Sequence, residues 1–302
     1  TAVTCGSLVR STLPLNRIFN GESVSGYRSV VFNLLFCTAT VAPSEITRTG
    51  LGGLYSKRTR PGLLAMLAVN NETGVVQPTR EVLQLCQAHE VPFFCDATQW
   101  IGKLPAAGLG ECDWVSGSAH KFGGPRGVGF LKCLAKGRVT SLLRGGAQEE
   151  GRRAGTENVA SVLAMFAALA AREAAMFGEG GVVQRGSARM RFEHRLSKAI
   201  LGTVIIAATS PRVWNTSLVL MPETDCRARW VVKLDKLGVA VSTGSACASG
   251  KEAPSPVLTA MGYTPAEAAR ALRFSAGWET TADDWQQLLA KLQQAARELS
   301  RP

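Results

Sequence analysis

Two short apolar runs and a shorter third, each ending in a cluster of polar residues, constrain this chain more than any other feature. Leu63–Val69 carries no charge and ends at Asn70-Asn71-Glu72-Thr73-Gly74. Val91–Cys95 ends at Asp96, and Trp114–Ser116 leads into Ser118-Ala119-His120-Lys121. Runs of this length without polar alternation read as buried strands. Between the first two, Pro78 and Thr79 start a helix that places Val82, Leu83 and Cys86 on one face. Strand, helix and strand with short connections predict an α/β fold, a mostly parallel sheet flanked by helices. Ligands of such sheets bind beyond the carboxyl ends of the strands. Asn71, Asp96, Gln99, Ser118, His120 and Lys121 all cluster at those ends.

The rest of the chain divides around this core. Residues 1–62 alternate Gly, Ser, Thr and Arg with short apolar runs such as Val30–Phe36, and give no long periodic element. They are assigned to a divergent amino-terminal segment of the large domain, which itself covers 63–182. A Gly- and Arg-rich loop, Gly145–Gly155, precedes an Ala-rich helix over Glu157–Met176. After Gly178-Glu179-Gly180-Gly181 a smaller α+β domain is expected over 183–302. Its predicted elements are a helix, a strand at Thr216–Leu220, a helix at Cys226–Leu237 and a strand at Val239–Ser242. A loop from Thr243 to Pro256 follows, then a strand at Leu272–Ser275. The last helix, Ala282–Leu299, has Trp285, Leu288, Leu289 and Leu292 on one stripe.

Composition excludes several classes. No apolar run reaches the roughly 18 residues that cross a bilayer, and the start lacks the pattern of a secretory leader. A cytoplasmic protein is therefore expected. The formal charge of +11 invites a nucleic-acid reading, but the basic residues are scattered rather than gathered on one face. They suit a solvated surface that favours acidic substrates or an acidic partner protein. The 8 cysteines show no Cys-x-x-Cys pair and no matching His spacing, so neither a disulfide framework nor a zinc site is expected.

Four residues stand out chemically. A lysine that attacks a carbonyl must be deprotonated often, which needs desolvation or a nearby positive charge. Lys121, just after a strand and before Phe122-Gly123-Gly124-Pro125, suits a rigid and partly buried turn, although most lysines in such strings are surface charges. Asp96 is placed to hold a proton on an aromatic ring nitrogen; a lone strand-end Asp is more often a turn former. Cys247 lies among small residues in Ser242–Gly250, as expected for an exposed and mobile thiol. Arg273 sits in an apolar strand, where a guanidinium needs an anion: a substrate carboxylate or an internal salt bridge.

These strings resemble the cysteine desulfurases of the class-V aminotransferase group. The resemblance rests on Asn70–Gly74 with Gln77-Pro78, Asp96-Ala97-Thr98-Gln99, Ser118-Ala119-His120-Lys121, and Gly127-Val128-Gly129. Gly155-Thr156-Glu157-Asn158, Ser245-Ala246-Cys247 and Arg273-Phe274-Ser275 complete it, in order, across roughly four-fifths of the chain. It implies a fold-type I pyridoxal-phosphate enzyme that converts L-cysteine to L-alanine and leaves the sulfur as a persulfide. Lys121 would carry the cofactor, Asp96 would pair with its ring nitrogen, and Asn71 and Gln99 would contact its ring oxygen. Ser118 and His120 would bind its phosphate, and Thr156 that of the partner subunit in a homodimer. Arg273 would hold the substrate carboxylate, Asn71 would also contact the substrate, and Cys247 would take the sulfur. The stretch from Pro254-Ser255-Pro256 to Met261-Gly262 resembles the subgroup that supplies iron–sulfur scaffold proteins and tRNA thiolation. Selenocysteine lyase activity is an alternative.

Relatives also carry a Gly-x-Thr-Glu-Ala-Asn-type phosphate loop and a ring-stacking histidine ahead of these motifs. Residues 1–62 contain neither, and no histidine precedes Asn71. A catalytically impaired relative serving as a binding or scaffold subunit is therefore a further alternative.

Overall fold

The computed structural model describes residues 62–133, 140–222, 227–243 and 255–299, together with the backbone of Leu34–Cys37. Two compact units emerge. The first comprises Thr1–Ala68, Pro78–Thr98 and Ala106–Ala167; the second comprises Val69–Gln77, Gln99–Pro105 and Ala168–Pro302.

Among the described residues, five strands form the sheet of the first unit in chain order: β1 (Leu34–Cys37), β2 (Leu63–Leu67), β3 (Phe93–Asp96), β4 (Trp114–Ser118) and β5 (Gly129–Cys133). The first four pair in parallel, in keeping with the expected mostly parallel sheet, although β1 is not among the expected strands, and β5 runs antiparallel to β4. The run Leu64-Ala65-Met66 is buried throughout, as a strand covered on both faces requires. Helix α1 (Thr79–Ala88) packs on β3 and buries Val82, Leu83 and Cys86. Strand β3 begins two residues later than expected. The Val91 N–H closes the end of α1 by donating to the Cys86 carbonyl at 2.8 Å, so it cannot join a ladder. Close approach at the β4–β5 pair excludes side chains: a Cβ on Gly117 would lie 2.4 Å from the Phe130 ring. Three thiols, those of Cys86, Cys95 and Cys112, are buried in this core. Helix α2 (Val159–Ala175) starts in this unit.

The second unit holds an antiparallel sheet ordered β6 (Val204–Ile205), β7 (Thr216–Leu220), β8 (Ala271–Ser275). All five residues of β7 are buried, because helices cover both faces. On one face pack α3 (Val182–Ala199), α4 (Arg227–Lys236) and α7 (Ala282–Leu299), contributing Phe192, Leu196, Trp230, Leu234, Trp285 and Leu292. Phe192 meets Phe274 edge-on at 5.8 Å and Trp285 at 4.8 Å. The other face is covered by α5 (Pro256–Ala260) and α6 (Pro265–Ala269) through Leu258 and Ala268. The short α6 is held by a capping box in which Thr264 and Glu267 exchange hydrogen bonds.

The strand expected at Val239–Ser242 does not form. Only Ser242 pairs with β8, exchanging two backbone hydrogen bonds with Arg273. The cause matches that at Val91: the Val239 N–H is used at the end of α4, donating to the Leu234 carbonyl at 2.9 Å.

Candidate active site

In the second unit the Asn70–Gly74 turn is built around one side chain. Asn70 Oδ1 accepts hydrogen bonds from the Glu72 N–H (2.9 Å), the Thr73 N–H (2.9 Å) and the Thr73 hydroxyl (3.1 Å). Gly74 closes the turn at φ +74, and a Cβ there would stand 2.8 Å from Thr216 Cβ. Gly74→Ala is expected to lower stability by about 2 kcal/mol or more, from left-handed strain and the clash together. Urea unfolding of the two proteins measures it.

The turn leaves Asn71 half-buried, with its carbonyl accepting a hydrogen bond from Arg273 Nη1 at 2.9 Å. Glu72, beside it, is only 3 % exposed, and its Oε2 accepts from the Ser255 hydroxyl at 2.5 Å. Burial pushes the Glu72 carboxyl up, while the Ser255 bond and the Arg273 charge pull it down; the net direction is upward. Arg273 is thereby oriented within the chain. The guanidinium binds a backbone carbonyl and acts on a buried carboxylate.

Gln99 is half-buried, and its Oε1 accepts from Lys103 Nζ at 2.6 Å.

In the first unit, Asp96 is the last residue of β3 and stands opposite Ser116 of the parallel β4. Asp96 Oδ1 accepts from the Thr98 N–H (2.9 Å) and the Ser116 hydroxyl (3.2 Å). No described residue donates to Oδ2. One oxygen thus fixes the carboxylate and the other is left to accept. Strand β4 ends at Ser118, whose hydroxyl lies 2.9 Å from His120 Nδ1. A single 3-10 turn, Ala119–Lys121, then carries His120 and Lys121 just beyond the strand end adjacent to Asp96. The turn is held by Phe122, 2 % exposed, and by Gly124 N–H donation to the Ala119 carbonyl at 2.9 Å.

The sequence predicts a partly buried Lys121; the structure shows it exposed. Phe122 takes the inward position of the turn, so the neighbouring lysine faces outward. Asp96, Ser118, His120 and Lys121 are thus assembled on neighbouring strand ends of one unit. Asn71 and Arg273 are joined in the other. Thr156 is exposed in the segment ahead of α2, and Cys247 lies outside the described residues. Ser116, Glu72, Ser255 and Lys103 escape the sequence reading. The Gln99-to-Lys103 spacing of four was the available signal for Lys103; Glu72 and Ser255 are 183 positions apart and leave none.

Among the described residues no helix is long and apolar enough to cross a membrane, and no cluster of His, Cys, Asp or Glu could hold a metal ion.

The chain is similar to known proteins along most of its length. The aminotransferase class-V family model matches residues 42–288. A cysteine desulfurase of Klebsiella pneumoniae is 40 % identical over 217 residues, covering 72 % of this chain and 54 % of that protein. The cysteine desulfurase NifS of Azotobacter vinelandii is 33 % identical over 223 residues, covering 74 % of this chain and 55 % of its own length. The chain thus spans about half the length of the curated relatives it matches. Among solved structures, a NifS-like protein from Rickettsia africae superposes with a TM-score of 0.70 at 26 % identity, covering 80 % of this chain and 64 % of that one. Its fold is that of the NifS-like, fold-type I enzymes, and the match extends across both units described above. On the family model and the fold together, this chain belongs to the aminotransferase class-V family.

Proposed function

We propose that the chain is a pyridoxal-phosphate-dependent cysteine desulfurase. The observation that carries this reading is the Asp96 carboxylate, pinned through Oδ1 with Oδ2 left to accept, next to the strand end that carries Lys121. The donor set fits the cofactor. A fixed carboxylate suits a protonated ring nitrogen, a primary amine on the neighbouring strand end suits a carbonyl, and the Ser118 and His120 side chains suit a phosphate.

When bound, the cofactor supplies an electron sink for bonds next to the substrate's amino group. Asp96 keeps the ring nitrogen protonated, assisted by Ser116, which orients the carboxylate. Lys121 would hold the cofactor through its amine, and that amine would move the substrate's protons. Asn71 and Gln99 contact the ring oxygen, and Arg273 binds the substrate carboxylate with its planar fork. The Cys247 thiolate attacks the substrate sulfur. A new S–S bond forms, the substrate C–S bond breaks, and proton delivery to carbon yields L-alanine and a Cys247 persulfide. Thr156 contacts the cofactor phosphate of a second copy in a homodimer, and a soluble sulfur acceptor such as an iron–sulfur scaffold protein takes the persulfide sulfur. The compartment is the cytoplasm. The relatives' names and the family match support the desulfurase reaction and its cofactor.

Titration of purified protein with pyridoxal phosphate tests the cofactor half. Saturable binding with a visible absorption band is expected, and its absence would favour a binding or scaffold role. Cys247→Ala tests the sulfur half. The band should persist while sulfide release from cysteine falls by about a hundredfold or more. Unchanged sulfide release would rule out Cys247 as the acceptor.

A further inference from the structure

The turn that carries Gln99 is held by three indoles. Trp100 Nε1 donates to the Pro105 carbonyl at 2.9 Å, Trp214 Nε1 to that of Lys103 at 3.0 Å, and Trp278 Nε1 to that of Gly102 at 3.0 Å. Trp214 and Trp278 also pack edge-on with ring centres 4.8 Å apart. Three donors within four residues fix this backbone closely, and Gly102 accommodates it at φ +71. The effect is to fix the position of Lys103.

Lys103 is 6 % exposed. A lysine rarely sits so deep, and an apolar side chain of similar length would fill the space without the desolvation cost of an ammonium. The charge therefore calls for a reason beyond packing. Its Nζ donates to Gln99 Oε1 at 2.6 Å. An ammonium has three donors and no acceptor, so it can face only the carbonyl end of an amide. A glutamine without such a neighbour can turn its amide over, exchanging donor for acceptor. Beside an ammonium at this distance it cannot.

We propose that Lys103 is a positioning residue that locks the Gln99 amide in one orientation, presenting Nε2–H as a hydrogen-bond donor to the cofactor's ring oxygen. The inference rests on the function proposed above, in which Gln99 contacts that oxygen. Its content is the direction of the contact and the residue that imposes it. The ring oxygen is an acceptor when ionised, and a donor stabilises that form. A turned amide would set two acceptors against each other.

The visible band of bound pyridoxal phosphate gives a readout independent of turnover. Its colour changes with pH as a proton shared between the Lys121 nitrogen and the ring oxygen is lost. An oxygen that already receives a hydrogen bond binds this proton less tightly, so removing the donor raises the midpoint. Gln99→Leu and Lys103→Met should each raise it by about one pH unit, the worth of a hydrogen bond to a charged group. The double variant should rise no further than either single one, because both remove the same interaction. Far-UV circular dichroism and thermal melting confirm that each variant folds. Should Lys103→Met fail to fold, Gln99→Glu keeps a partner for Lys103 and removes the NH2 donor, so its midpoint should rise as well. A Lys103→Met midpoint equal to wild type, with Gln99→Leu shifted, would overturn the proposal and leave the function intact. An unshifted Gln99→Leu or Gln99→Glu would overturn it too. Failure of the wild type to develop the band would instead remove the functional reading, and that is seen before any variant is made.

Discussion

Lys121→Ala is expected to lose the visible band of bound pyridoxal phosphate and about a thousandfold or more of the sulfide-release rate. The size follows from its two proposed tasks, since covalent attachment and proton transfer each contribute orders of magnitude to such reactions. Structural collapse cannot account for the loss. Lys121 is exposed, and the turn is held by Phe122 and by backbone bonds that the substitution leaves in place. The melting temperature of the cofactor-free variant should therefore stay within a degree or two of wild type, as for surface changes generally. Borohydride reduction followed by peptide mapping provides the direct check. The cofactor should be found on Lys121 in the wild type and on no lysine in the variant. An adduct on a different lysine would reassign the role.

The largest expected effect on stability lies away from this chemistry. Glu193 of α3 is buried between two arginines: Arg189 Nη1 approaches Oε1 at 2.8 Å, and Arg212 binds both oxygens at 2.7 and 2.8 Å. The three side chains are 5, 7 and 3 % exposed, in the order Arg189, Glu193, Arg212. Glu193→Ala leaves two buried guanidinium groups with no carboxylate between them, so a loss of roughly 3–5 kcal/mol is expected in urea unfolding. A loss below 1 kcal/mol would show that water or neighbouring groups solvate the arginines. Acid should reproduce part of the effect. Burial pushes the Glu193 carboxyl up, but the Arg212 hydrogen bonds and the charges of Arg189 and Arg212 outweigh it and hold the group below its ordinary value of 4.5. A carboxyl depressed in the folded state adds stability above its unfolded pKa, and this is lost as pH falls through the folded one. The wild type should therefore lose stability as pH drops below about 4.5, and Glu193→Ala should lose less over the same interval.

Where apolar pattern alone determines an element, sequence and structure agree closely. Strand β7 at Thr216–Leu220 and helix α7 at Ala282–Leu299 have the expected bounds. Leu288 and Leu289 are partly buried alongside the buried Trp285 and Leu292 of the expected stripe. The discrepancies occur where backbone groups have competing partners. Val91 and Val239 are apolar enough for a strand, but each N–H closes the helix before it. Strand β5 escapes the pattern because it lies at the sheet edge, with Leu131 half-exposed, so its residues lack a buried run. The five-residue α5 and α6 are too short for periodicity, and their signal lies in the caps, Ser255 before Pro256 and Thr264 before Pro265.

The candidate site divides the same way. Asp96, Ser118, His120 and Lys121 are legible because strand ends are legible, and the sheet register brings them to neighbouring positions. The contacts that orient them are less so. Ser116 could be inferred only from the pairing of β3 with β4, and the Glu72–Ser255 bond only from the tertiary fold. The exposure of Lys121 is not legible in the sequence, because one turn carries both an inward and an outward residue and Phe122 takes the inward place.

The thiols inside the first unit have a bearing on selectivity. Sulfur passes between thiols through the thiolate form. Burial pushes Cys86 up to about 12, and Cys95 is raised by its hydrogen bond with Cys112 and by burial. That bond holds Cys112 lower, yet Cys112, like Cys95, has no exposed surface at all. A persulfide formed in the proposed reaction would therefore find these three cysteines out of reach, and the interior of the first unit would be spared from sulfuration.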